Sequence, residues 1–220
     1  MGQPPVQSLR ARSRDEVAAM GIVAQANVLQ LQTAANRRLS VPQTTVPSPG
    51  AVGRYREALI DWRTIREYSE SELLLRTHQV WGQYCVFCWA FDGQDPQKPP
   101  PFAGPRADLP MRSPCQIGGK LLEIERGLWR LRFEDRLRHE PELRGTPDFR
   151  KEYEAAMDIP MLVFGQNVRT CSDADLLAGT CQYAGMLAAI RWIADHRWNW
   201  GQEGIMELEI EPTSRWKSTE

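Results

Sequence analysis

The spacing Cys85-x-x-Cys88 is the first candidate for chemistry, because two cysteines so placed are what zinc knuckles and redox dithiols use. A four-coordinate zinc site needs a second ligand pair in register. The sequence offers His78, seven residues before Cys85, and Cys115, Cys171 and Cys181 at unpatterned distances. The candidate metal ligands are therefore Cys85, Cys88 and His78. Against them stands the strongly apolar segment from Trp81 to Phe91, in which a cysteine serves as a small hydrophobe. The expectation is a pair of core thiols, with no metal and no cofactor.

For catalysis the candidates are Cys171 and His196. Cys171 precedes Ser172 and Asp173, a helix start, and a thiol at a helix N-terminus has its thiolate stabilised by the free N–H groups. No histidine lies near it in sequence, and Asp173 and Asp175 oppose thiolate formation, so an inert thiol is the favoured reading. His196 falls in the last turn of the following helix, where a cation suits the dipole, and His139 sits in a charged, exposed segment. Glu207, Glu209 and Glu211 alternate with Met206, Leu208 and Ile210, which describes a strand with one solvated face better than a metal site. Arg130 and Arg132 interleaved with Trp129 resemble a nucleic-acid surface, but Glu123, Glu125, Glu134 and Asp135 neutralise it, and an ion-paired face is favoured.

Composition narrows the classes further. The chain has 220 residues, 42% hydrophobic and 25% charged, which is enough for a self-sufficient core. A net charge of −1 lacks the summed positive field of a general nucleic-acid or membrane-surface binder. Lysine occurs only at 98, 120, 151 and 217, an arginine skew that suits a GC-rich bacterial or phage coding sequence. The opening residues show no charged region followed by an apolar one, and the longest uncharged apolar stretch, Tyr183 to Ile190, is far short of the ~20 residues that span a bilayer. A cytoplasmic location is expected, with five cysteines as free thiols.

The elements that must position these residues follow from periodicity. Ser13 and Glu16 form a capping box, and Val17, Met20, Ala24, Val28, Leu31 and Ala35 follow as one helical stripe. Pro42, Pro47 and Pro49 then mark a linker, so residues 1–50 read as a helical arm whose stripe is the candidate partner-binding surface, to be covered by a second copy, another protein or the domain itself. Asn27 beside the stripe is placed to set register in a helix pair. A helix from Tyr55 to Tyr68 and another from Ser69 to Phe91 suggest an α-hairpin. Residues 92–119 read as a long proline-rich loop. Residues 120–135 fit either a helix or a hairpin turning at Arg126-Gly127, and the hairpin is preferred because a helix must tolerate Gly127 and apolar residues around most of its circumference. Thr146-Pro147 starts a short helix, Ile159 to Phe164 reads as a buried strand, and Ser172 caps a core helix running to about Trp198.

The fold class so read is helix-dominated α+β: an α-hairpin and a long central C-terminal core helix packed on a small, mainly antiparallel sheet, with an N-terminal arm. Residues 51–220 form one globular domain. The expected function is non-enzymatic, a protein-interaction, assembly or regulatory role. The alternatives are an enzyme with a site near Cys171 and His196 under the proline-rich loop, or a nucleic-acid binder using Arg130, Arg132 and Trp129.

Overall fold

The computed structural model describes residues 11–35, 53–92, 95, 104–140 and 146–195. Among these, the chain forms α1 (Arg14–Ala35), a 3-10 helix (Gly53–Ala58), α2 (Trp62–Glu67), α3 (Glu70–Asp92), α4 (Pro114–His139), α5 (Pro147–Met157), β1 (Leu162–Val163), β2 (Gln166–Asn167) and α6 (Asp173–Ala194). This is a helix-dominated α+β fold. The two short strands pair antiparallel, Leu162 with Asn167 and Val163 with Gln166. No described helix is long and apolar enough to cross a membrane.

Helix starts follow local chemistry. Ser13 and Glu16 exchange capping hydrogen bonds at the head of α1, as do Ser69 and Glu72 ahead of α3. Ser172 accepts from the Asp175 N–H at the start of α6, and Thr146 accepts from that of Phe149 with Pro147 at the first position of α5. The predicted helix from Tyr55 to Tyr68 is instead broken. Asp61 caps a fresh start at α2, and Tyr68 returns to extended backbone, leaving a six-residue α2 in place of a full hairpin arm.

The four long helices pack in the order α1, α3, α6, α4. At the centre α3 and α6 cross glycine to glycine: a Cβ on Gly82 would overlap the Gln182 carbonyl, and one on Gly185 that of Gln79. Backbones approach this closely only where Cβ atoms are absent. Val17, Met20, Ala24, Val28 and Leu31 of α1 are buried in the same core as Tyr84, Phe87 and Ile190. The stripe is thus covered by the chain's own helices, one of the three covers its pattern leaves open. An amphipathic stripe gains stability wherever water is excluded, and here its own domain covers it; Ala35 alone of the six is exposed. Asn27 does not set a helix-pair register. It donates from Nδ2 to the Ala58 carbonyl (3.0 Å) and accepts from the Ile60 N–H (2.9 Å), holding the 3-10 segment on α1. The linker with Pro42, Pro47 and Pro49 lies outside the described residues.

Residues 120–135 are not a hairpin but the middle of α4. The start is a capping box, Ser113 with Gln116 and Pro114 at the first position, hidden inside the stretch read as loop. Gly127 is no breaker here, because the Tyr183 ring of α6 lies where its Cβ would be. Apolar residues surround α4 because it is covered twice: α6 packs on one side, and Phe149 of α5 stacks on Phe133 (5.3 Å between centroids) on another. The proline-rich loop is thus shorter than 92–119, and its described part is pinned rather than free. Pro105 packs on Gly21, the Gly104 N–H donates to the Tyr84 hydroxyl, and the Arg112 guanidinium lies 4.7 Å from the Trp89 ring.

Candidate functional site

β1, its turn and β2 form a minimal hairpin that presents apolar side chains to solvent. Phe164 (φ 48°) and Gly165 (φ 84°) both take left-handed backbone between the paired Val163 and Gln166, the pattern of a type I′ turn. Glycine is at ease there, but phenylalanine is not: its Cβ crowds the carbonyl oxygen, at about 1–2 kcal/mol. The expected buried strand is therefore only half buried. Val163 and Met161 point into the core, while Leu162 is 60% and Phe164 49% exposed.

Phe164 lies against His78 of α3, with ring centroids 5.2 Å apart, and exposed Leu74 sits one turn before His78 on the same helix face. Beyond Leu162 opens a cleft of about 580 Å³ whose other wall is α4, with Leu122 exposed at its edge. Four exposed large side chains, Leu74, Phe164, Leu162 and Leu122, thus follow one another across α3, the hairpin and α4. Tyr183 forms part of the cleft lining at 8% exposure.

Among the described residues no group of three His, Cys, Asp or Glu that could hold a metal ion comes together, at His78 or elsewhere. Burial lowers the His78 pKa below 6.5, opposed by the nearby Asp175 charge. A histidine held neutral in the fold and free to protonate when unfolded binds fewer protons in the native state, so the native state loses stability as pH falls below about 6.5. His78→Gln is expected to flatten the pH dependence of the urea midpoint between about pH 7 and 5, on the ordinary histidine range. An unchanged slope would refute this assignment.

Cys85 and Cys88 are buried in the α3 core, where burial pushes the Cys85 thiol far above its ordinary range. Cys181 is buried on α6, and desolvation raises its pKa to about 12. All five cysteines are free, and Cys115 is the exposed one.

Cys171 is buried and donates from Sγ to the Val168 carbonyl (3.3 Å). Its neighbour, which sequence reasoning did not find, is Arg138 of α4. That guanidinium donates to the carbonyls of Val168 (2.7 Å) and Cys171 (3.0 Å) and to the Asp173 carboxylate (2.7 Å). Arg138 thereby fastens the turn before α6 onto α4, a structural clamp on an inward-facing thiol. His196 and the alternation of Glu207, Glu209 and Glu211 with Met206, Leu208 and Ile210 lie outside the described residues.

The change from hairpin to helix removes Arg130 from the nucleic-acid trio, while Trp129 and Arg132, three apart on α4, both stay exposed on neighbouring positions. On a strand Arg130 and Arg132 share a face, but on a helix residues two apart point about 200° away from each other. Arg132 is exposed, Trp129 stacks on Phe133, and Arg130 is 1% exposed, paired with Glu134 at 2.9 Å.

Comparison of the chain with family models, curated proteins and solved structures finds no match in any of the three.

Proposed function

We propose that the protein acts through protein contacts, as an assembly or regulatory factor, and that its contact face is the hairpin with its flanking apolar row, not the α1 stripe. The observation that carries this reading is Phe164. A bulky residue held in left-handed backbone and half exposed costs stability where Asn or Gly would not, and strain of this kind collects where a side chain is needed for recognition. Leu74, Leu162 and Leu122 extend the same surface, and exposed apolar side chains gathered in this way are a mark of protein interfaces. The reading sets the protein in the cytoplasm of a bacterium or a phage-infected cell, in keeping with its arginine-rich composition.

The test uses Leu162→Asp combined with Phe164→Asn, since asparagine suits the first position of a type I′ turn. This variant is expected to melt within a few degrees of the wild type. It should lose any self-association seen by sedimentation and any partner recovered from the native extract and reassembled from purified components. Leu29→Asp, at an exposed apolar position of α1 outside the row, should retain both. Equal behaviour of the two variants sinks the reading.

A further inference from the structure

We propose that the cleft between α4 and residues 158–162 binds a small apolar zwitterion, of the class of apolar amino acids and dipeptides. At about 580 Å³ the cleft falls within the ~300–1,000 Å³ range of small-molecule sites. Its α4 wall is one helical face, Gly119, Leu122, Glu123, Arg126 and Gly127, spaced by three and four residues. Opposite stand Ile159, Met161 and Leu162, with Asp158 at the end of α5.

Three features point to a ligand. The Tyr183 ring is mostly buried and lines the cleft, while its hydroxyl makes no protein hydrogen bond among the described residues and stays open to the cleft. A hydroxyl left open at a cleft is a donor and acceptor that a ligand group can engage. Burial, with the Glu123 and Asp95 charges, holds this phenol far above its ordinary pKa, so it keeps its proton at neutral pH. Second, the wall charges do not cancel. Glu123 is taken by Lys120 at 2.6 Å, whereas Arg126 and Asp158 have no ion-pair partner among the described residues. One free cation and one free anion beside an apolar wall complement a carboxylate, an ammonium and an apolar side chain together. Third, Gly127 admits the Tyr183 ring, while a Cβ on Gly119 would meet nothing, so the helix is cut away where a ligand would lie.

The cleft does not include Phe164 but shares Leu122 and Leu162 with the contact face, so Phe164→Asn separates the two readings. Titration calorimetry with leucine and with leucyl-leucine tests it, and at least one is expected to bind. Arg126→Gln and Asp158→Asn should each weaken that binding at least tenfold. N-acetyl-leucyl-leucinamide, which carries neither charge, should not bind. Gly119→Leu should abolish binding by filling the cleft without lowering the melting temperature, since leucine is the better helix former. Phe164→Asn should bind as the wild type does. Absence of binding by both probes, or wild-type affinity in Gly119→Leu or Arg126→Gln, would overturn the proposal.

Discussion

Gly185→Ala is expected to unfold the protein or to cost about 3 kcal/mol or more, at the upper end of the ~1–3 kcal/mol that overpacking normally costs. The added methyl would overlap the carbonyl oxygen of Gln79, and Gly82 faces the Gln182 carbonyl in the same way. These obstacles are backbone inside a helix, so no side chain can swing aside, and α3 and α6 would have to separate along their buried length. Helix propensity alone argues the opposite, since alanine is better than glycine in a helix by about 1 kcal/mol. Gly118→Ala serves as the control: a Cβ there meets nothing, and stability should rise by up to about 1 kcal/mol. Urea midpoints of the two variants check both signs. If Gly185→Ala were as stable as wild type, the close crossing would be wrong.

The second large effect is expected at the buried ion pair of α4. Arg130 and Glu134 are one turn apart and almost wholly buried, and Arg138 approaches the other Glu134 oxygen at 3.5 Å. Removing one member strands a charge away from water, so Glu134→Leu should cost about 3–5 kcal/mol. Removing both leaves no such charge, and Arg130→Met with Glu134→Leu should recover most of that loss. The Arg130 Nε, which has no partner among the described residues, adds to the expectation that an apolar replacement is tolerated. A double-mutant cycle on chemical denaturation measures the coupling. Additive single losses would show that the pair does not act as a unit.

Much of the helical architecture was legible because capping chemistry is local. Ser13, Ser69, Thr146 and Ser172 each mark a helix start through hydrogen bonds within three residues. The start at Ser113-Pro114 carries the same signal, but the prolines around it give the stretch the composition of a loop. The candidate site was far less legible. Leu122, Leu162 and Tyr183 are ordinary apolar or aromatic residues in the sequence, and nothing in their spacing tells that they border one cleft. The strain at Phe164 is likewise invisible until the turn places it at positive φ.

By itself the sequence determined where most helices begin, which residues of α1 and α6 form apolar faces, and that Cys85 and Cys88 belong to an apolar environment. These properties depend on neighbours within one or two turns. Only the tertiary structure decided what covers the α1 stripe, whether 120–135 is strand or helix, and which arginines reach solvent. An apolar face states a demand for burial without naming the surface that meets it. Gly127 breaks a helix in isolation, but the Tyr183 ring fills its place once α6 has packed there. Arg130 looks like a surface charge until the same packing encloses it with Glu134. Each of these outcomes rests on contacts between residues distant in the chain, and local pattern carries no record of them.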